Sequence, residues 1–279
     1  MKKDVCVVIP VYKEKMSEME FFSFKRMIDV FSNRDIFLVS PMCLEECVKE
    51  IAKCNKINHV LFNDIFFKNI AGYNKLLTNL EFYYKFEGYE YILICQLDVY
   101  VINDTIDFWI EKNMDYIGAP IFKGYTKSKN EIVMKNSGAN GGFCLKKVSS
   151  SIEVLSKIGP YYSKINTLWK MESNVFWKFF RLFRDGIIFN YKINFLKPKI
   201  NEDVFWSIII PERFPFYKVL PPQEAAYFAF DANPRYLYEF CSHTYPMAIH
   251  AWWRYDKEFV MSIHNQIEKN SLHKDTNAC

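Results

Sequence analysis

Tyr91-Ile-Leu-Ile-Cys-Gln96-Leu97-Asp98-Val99-Tyr100-Val101 is the stretch on which the fold is decided. An uninterrupted apolar run of this length is a strand buried on both faces, as in a parallel sheet. It ends in an acid, so the carboxylate of Asp98 stands at the sheet edge. A carboxylate placed there can hold a hard divalent cation, which would in turn neutralise a diphosphate. It can also do no more than cap the following turn, and the motif alone leaves both readings open.

Working outward, Val5–Val11 is a second near-continuous apolar run and Ile36–Val39, His59–Phe62 and Asp115–Ala119 are three more. Between them the pattern is helical around Glu20–Phe31, over the segment carrying Cys43, Cys47 and Cys54, and across about Lys68–Phe86. Strand and helix alternating at this spacing predict a doubly wound α/β sheet. Right-handed crossovers place the strands' carboxyl ends along one edge, where ligands bind. After residue 120 the rhythm loosens. Lys123–Lys135 is turn-like, Asn140-Gly141-Gly142-Phe143 opens a short strand and Val148–Ile158 reads as a helix. Regular structure returns at Glu202–Ile210 and Phe216–Leu220. The expected architecture is one domain over 1–279 with an inserted arm at about 161–200.

Composition narrows the function. The 279 residues carry 36 basic and 32 acidic side chains, a net +4 too evenly spread to suggest a nucleic-acid partner. Half the residues are hydrophobic and 18% aromatic, which excludes a disordered chain. The eight cysteines form no Cys-x-x-Cys pair, and the spacing of Cys43, Cys47 and Cys54 predicts three thiols buried on one helix face. That usage suits a reducing, cytoplasmic compartment. The arm interleaves bulky rings with cations (Phe176, Trp177, Lys178, Phe179, Phe180, Arg181, Phe183, Arg184, with Lys192 beyond). Such a stretch either packs on its own domain with its charges outward or rests peripherally on an anionic membrane, near a lipid-linked acceptor.

Taken in order, several blocks resemble the GT-A class of nucleotide-sugar-dependent glycosyltransferases, and among them a poorly characterised, mostly bacterial group. They are Val8-Ile-Pro-Val-Tyr-Lys-Glu14, Asn69-x-x-Gly72-Tyr-Asn74, Gln96-Leu-Asp98 and Asp115-Tyr-Ile-Gly-Ala-Pro120. Asn140-Gly-Gly-Phe143, Asn201-Glu-Asp-Val-Phe-Trp206 and His250-Ala-Trp252 complete the series. The resemblance implies a Rossmann-like, mainly parallel sheet, a nucleotide-sugar-binding half over 1–120 and an acceptor-binding half over 121–260. It also implies a glycan or lipid-linked acceptor and a role in polysaccharide biosynthesis.

The same resemblance assigns roles. Pro10, Val11, Tyr12 and Glu14 would line the nucleotide pocket, with Tyr12 against the base, and Asn69, Asn74 and Lys75 would lie near the ribose or diphosphate. Asp98 corresponds to the last acid of the Asp-x-Asp motif and His250 to the late histidine of the same site, together holding Mn or Mg. The first acid of that motif is here Gln96, which brings an oxygen but no charge. Gly141, Gly142 and Phe143 would form the floor under the donor sugar, with Trp252 beside it. Trp206 and Trp253 fall in the same blocks.

Asn201 is placed to cap a helix, which alone explains one of the two acids after it. The functional reading makes Asp203 the general base for an inverting transfer, with Glu202 binding acceptor or donor sugar. The reverse assignment stays open. So do two other classes: a nucleotidyltransferase, against which the lack of a Gly-rich basic loop counts, and a non-catalytic carbohydrate- or membrane-binding relative.

Overall fold

The computed structural model describes residues 3–124, 132–158 and 201–276. The aromatic-basic arm expected at 161–200 lies outside the described residues.

The strands β1 (Lys3–Pro10), β2 (Asp35–Pro41), β3 (Asn58–Phe62) and β4 (Tyr89–Cys95) are mutually parallel in the order β3-β2-β1-β4. β7 (Met134–Lys147) then adds antiparallel to β4, and β6 (Tyr116–Phe122) antiparallel to β7. The mainly parallel α/β sheet read from the apolar runs is therefore present. Successive residues of β1 point to opposite faces, as the pleat requires. Val5, Val7 and Ile9 join a core with Phe24 and Met27 of α1 (Glu18–Val30) and Val48 of α2 (Glu45–Asn55). Cys6 and Val8 join another with Leu76 of α3 (Ile70–Leu76), Phe82 of α4 (Leu80–Tyr84) and Val148 of α6 (Val148–Lys157). Between those helices α5 (Ile106–Glu111) packs Trp109 into the first core.

Four expectations change. The helix predicted across Lys68–Phe86 is two, because the Asn79 side chain accepts from the Glu81 N–H and starts a new helix where the periodicity runs on. Asn140–Phe143 does not open a strand but lies inside the long β7. Phe216–Leu220 contributes only a single bridge, Val219 to Tyr116. Cys43 and Cys54 are exposed and Cys47 half-buried, since the buried face of α2 is Val48 and Ala52. Among the described residues, no helix is long and apolar enough to cross a membrane.

A small second sheet gathers residues that are far apart in the chain. β5 (Tyr100–Val101) pairs antiparallel with β9 (Ala248–Ile249), which pairs parallel with β8 (Ala229–Phe230). Each strand is two residues long. Tyr100 and Phe230 both sit opposite Ile249, so Asp98, Asp231 and His250, each just beyond its strand, are drawn to one place.

Candidate active site

That place is the floor of a cleft of about 600 Å³ at the carboxyl edge of the parallel strands. Gln96, Asp98, Asn140, Gly141, Gly142, Glu202, Asp203 and His250 line it, with Tyr73, Asn74 and Arg254 on its walls. A second cleft of about 470 Å³ shares Ile70, Tyr73, Gln96 and Asp98 with the first and extends to Pro10, Tyr12, Glu20, Asn69 and Trp253. Residues from both ends of the chain thus meet in one continuous groove.

The His250 ring defines the centre. Its Nδ1 lies 2.8 Å from Asp231 Oδ1, and Asp231 is 1% exposed. An ionised carboxylate only accepts, so Nδ1 carries the proton and Nε2 is turned toward Asp98 Oδ1 at 3.3 Å. Asp98 Oδ1 and His250 Nε2 are both buried and neither has a hydrogen-bond partner. Two lone pairs facing each other at that distance need a cation between them. In the absence of a metal a proton serves: burial opposes charge on the ring, but Asp231 and Asp98 outweigh it and push His250 up to about 10. One carboxylate oxygen and one imidazole nitrogen, with a second carboxylate behind the ring, also suit Mg or Mn completed by phosphate and water oxygens. Among the described residues, no group of three or more His, Cys, Asp or Glu converges on one point.

The glycine pair makes room for these side chains. A Cβ on Gly142 would lie 2.1 Å from His250 Nε2, and one on Gly141 would lie 1.9 Å from Glu202 Oε1. Both seats exist only because β7 lacks side chains there. Asn140 steadies the same turn, its Oδ1 accepting from the Gly142 N–H at 2.7 Å and its Nδ2 donating to Asp231 Oδ2 at 3.2 Å.

Glu202 and Asp203 begin a helix that runs through Glu202–Val204, widens into a π turn at Phe205–Ile209 and closes with Ile210–Arg213, here α7. Asn201 occupies the cap position, but its side chain makes no capping bond. Asn74 does that work from α3, accepting from the Glu202 N–H at 3.2 Å and donating to Asn201 Oδ1 at 3.3 Å. The two acids have different surroundings. Glu202 is buried and paired at 2.5 Å with Lys146 Nζ, which is itself fully buried over the rings of Tyr116 and Trp206. Asp203 receives the Val204 N–H at 2.6 Å and faces the cleft, where burial and the neighbouring Glu202 charge raise it to about 6.

Several expected residues sit elsewhere. Val11 is wholly buried, Glu14 is exposed, and Lys75 lies in the last turn of α3; none of the three lines either cleft. Asn69 reaches the second cleft but spends its side-chain oxygen capping α3 at the Gly72 N–H, 2.9 Å away. Phe143 stacks on Phe228 in the core, Trp206 donates its indole N–H to the Leu77 carbonyl, and Trp252 donates to Ser23 Oγ at 2.8 Å. All three rings are fully buried and present no surface to a ligand. Trp253, the neighbour of Trp252, is the indole that lines the groove, opposite Tyr12 and Pro10.

Three residues were not anticipated. Asp231 follows Phe228-Ala-Phe230, which reads as core, and a two-residue strand has no periodicity to betray its end. Lys146 looks like a solvated strand residue because its partner is 56 positions away. Glu20 anchors the Tyr12 side of the groove through the Tyr12 hydroxyl (3.3 Å) and Lys13 (2.6 Å), and only the Ser17–Glu20 capping box marks it in sequence.

A family model described as "Protein of unknown function (DUF5672)" matches residues 56–250. No curated protein matches the chain by sequence. Among solved structures, the chain is similar to mouse xyloside xylosyltransferase 1, with 10% identity, 88% of this chain and 97% of that one covered, and a TM-score of 0.47. It is similar to the galactosyltransferase LgtC, with 12% identity, 88% and 86% covered, and a TM-score of 0.49. It is also similar to the glycosyltransferase GlyE of Streptococcus pneumoniae, with 14% identity, 96% of this chain and 64% of that one covered, and a TM-score of 0.45.

Proposed function

Since the chain belongs to the DUF5672 family, and Asp98, Asp203 and His250 all fall within the matched span, we propose that it is a glycosyltransferase. It moves a sugar from a nucleotide-sugar donor to a hydroxyl of a glycan or lipid-linked acceptor. The observation that carries the reading is the facing, unpartnered pair of Asp98 Oδ1 and His250 Nε2 in a groove that Asp203 also lines.

The groove divides the work. Pro10 and Tyr12, from the half of the chain before residue 120, meet Trp253 at its aromatic end, which suits the flat faces of a base. Asp98 and His250 would hold Mn or Mg, which when bound neutralises the diphosphate of the departing nucleotide. Gly141 and Gly142 seat Glu202 and His250 at the wall of the same cleft, where the donor sugar would lie.

Asp203 is the base. At pH 7 a carboxyl raised to about 6 is mostly ionised yet more basic than an ordinary aspartate, which suits removal of a proton from an acceptor hydroxyl. A base acting on the acceptor in this way makes the transfer inverting. Glu202 is buried and held by Lys146 through Oε2, whereas Asp203 faces the cleft, which favours Asp203 over Glu202 as the base. Chromatography of the products from a panel of nucleotide sugars, and in parallel from nucleoside triphosphates with sugar 1-phosphates, tests the class. A nucleoside diphosphate from the first set marks a glycosyltransferase, pyrophosphate from the second a nucleotidyltransferase, and no turnover of either a binding protein.

A further inference from the structure

Gln96 stands where a second acid is expected, so the open side of the metal site has a single carboxylate, Asp98. Behind the His250 ring lies another. Asp231 is 1% exposed and both its oxygens are engaged, Oδ1 by His250 Nδ1 and Oδ2 by Asn140 Nδ2. Among the described residues its ion-pair partner is His250 alone. A buried carboxylate needs its charge compensated close by.

The charges make a simple count. Asp98 and Asp231 flank one imidazole and together carry two negative charges. A divalent cation held by Asp98 and His250 would offset both. We propose that Asp231 is a positioning residue for the metal: it fixes His250 with Nε2 toward Asp98 and supplies, through the ring, the negative charge that Gln96 does not. Asn140 extends the arrangement, holding Asp231 with one end of its amide and Gly142, over which His250 sits, with the other. A carboxylate behind a ligating imidazole raises the ligand's basicity and restricts its rotation, and its loss weakens metal binding by about 10- to 100-fold. The inference rests on the proposed function only in placing a divalent metal at Asp98 and His250.

The test is titration of the full chain with Mn2+ alone, following the electron-paramagnetic signal of the free ion. The wild type is expected to bind one ion and Asp98→Ala to lose it. Asp231→Asn is expected to weaken binding by about 10- to 100-fold, and Gln96→Asp added to Asp231→Asn to recover much of the loss. Equal affinity in Asp231→Asn and wild type overturns the role of Asp231 while leaving the metal site intact. No binding by the wild type, or undiminished binding by Asp98→Ala, overturns the metal site itself. Should circular dichroism show Asp231→Asn unfolded, nitrogen NMR of His250 in the wild type decides. Nδ1 is expected to stay protonated while Mg2+ moves the Nε2 resonance, and the opposite pattern overturns the proposal.

Discussion

Gly142 and His250 occupy one another's space: a Cβ on the glycine would sit 2.1 Å from Nε2 of the ring, closer than any two non-bonded heavy atoms can approach. The Asn140-Gly141-Gly142 motif is therefore less a floor for a sugar than a recess for two protein side chains, His250 above Gly142 and Glu202 above Gly141. Gly142→Ala is expected to displace the ring and lower turnover by at least about 100-fold, the scale on which misplaced catalytic groups cost rate. The melting temperature should fall by only a few degrees. Steady-state rates beside a thermal melt check this, and an active Gly142→Ala would mean that His250 has no part in the chemistry.

The Lys146–Glu202 pair makes a stability prediction. Both side chains are buried, and burial opposes the lysine's charge but is outweighed by Glu202, which keeps it protonated. Lys146→Met removes the cation and strands the carboxylate, at an expected cost of about 3–5 kcal/mol. Adding Glu202→Gln should return part of that. Urea denaturation of the two variants measures both numbers.

Asp203 predicts a pH dependence with a definite sign. The base works ionised, so kcat/KM should fall tenfold per pH unit below about 6 and level off above it. Asp203→Asn should abolish the limb along with the rate. Stability runs the other way. A carboxyl raised on folding contributes stability that is fully present below its unfolded value, roughly pH 4, and is lost as pH rises through about 6. Asp203→Asn should consequently be more stable than wild type at pH 7, by on the order of 1–3 kcal/mol. A flat rate profile between pH 5 and 7 removes Asp203 as the base.

The two adjacent tryptophans should behave differently. Trp252 is fully buried in a core with Tyr100 and Phe259, and Trp252→Ala is expected to cost about 3–5 kcal/mol. Trp253 lines the groove, so Trp253→Ala should raise the donor KM several-fold with a much smaller effect on folding. Donor titrations and melts on the pair separate the roles.

How much of the fold and the site is legible in the sequence depends on where each signal resides. The parallel strands announce themselves because burial on both faces leaves no polar positions to interrupt Val5–Pro10 or Tyr91–Cys95. Asp98 and His250, singled out by the resemblance, each follow an apolar run and both line the cleft. The break between α3 and α4 is missed because Asn79 acts through one local hydrogen bond, while the apolar periodicity continues across it. Asp231 and Lys146 are missed for another reason: their meaning lies in partners 19 and 56 positions away. The tryptophans are misread because a block that builds a cleft also builds the core beneath it, and only the fold tells Trp252 from Trp253.

The most direct test of the central claim is donor turnover with and without metal. Nucleotide sugars, screened with the full chain in Mn2+, should yield a nucleoside diphosphate from at least one donor. EDTA should stop the release, and Asp98→Ala should lower it by several orders of magnitude while leaving the circular dichroism spectrum unchanged. Equal release by wild type and Asp98→Ala in the presence of EDTA would contradict the account.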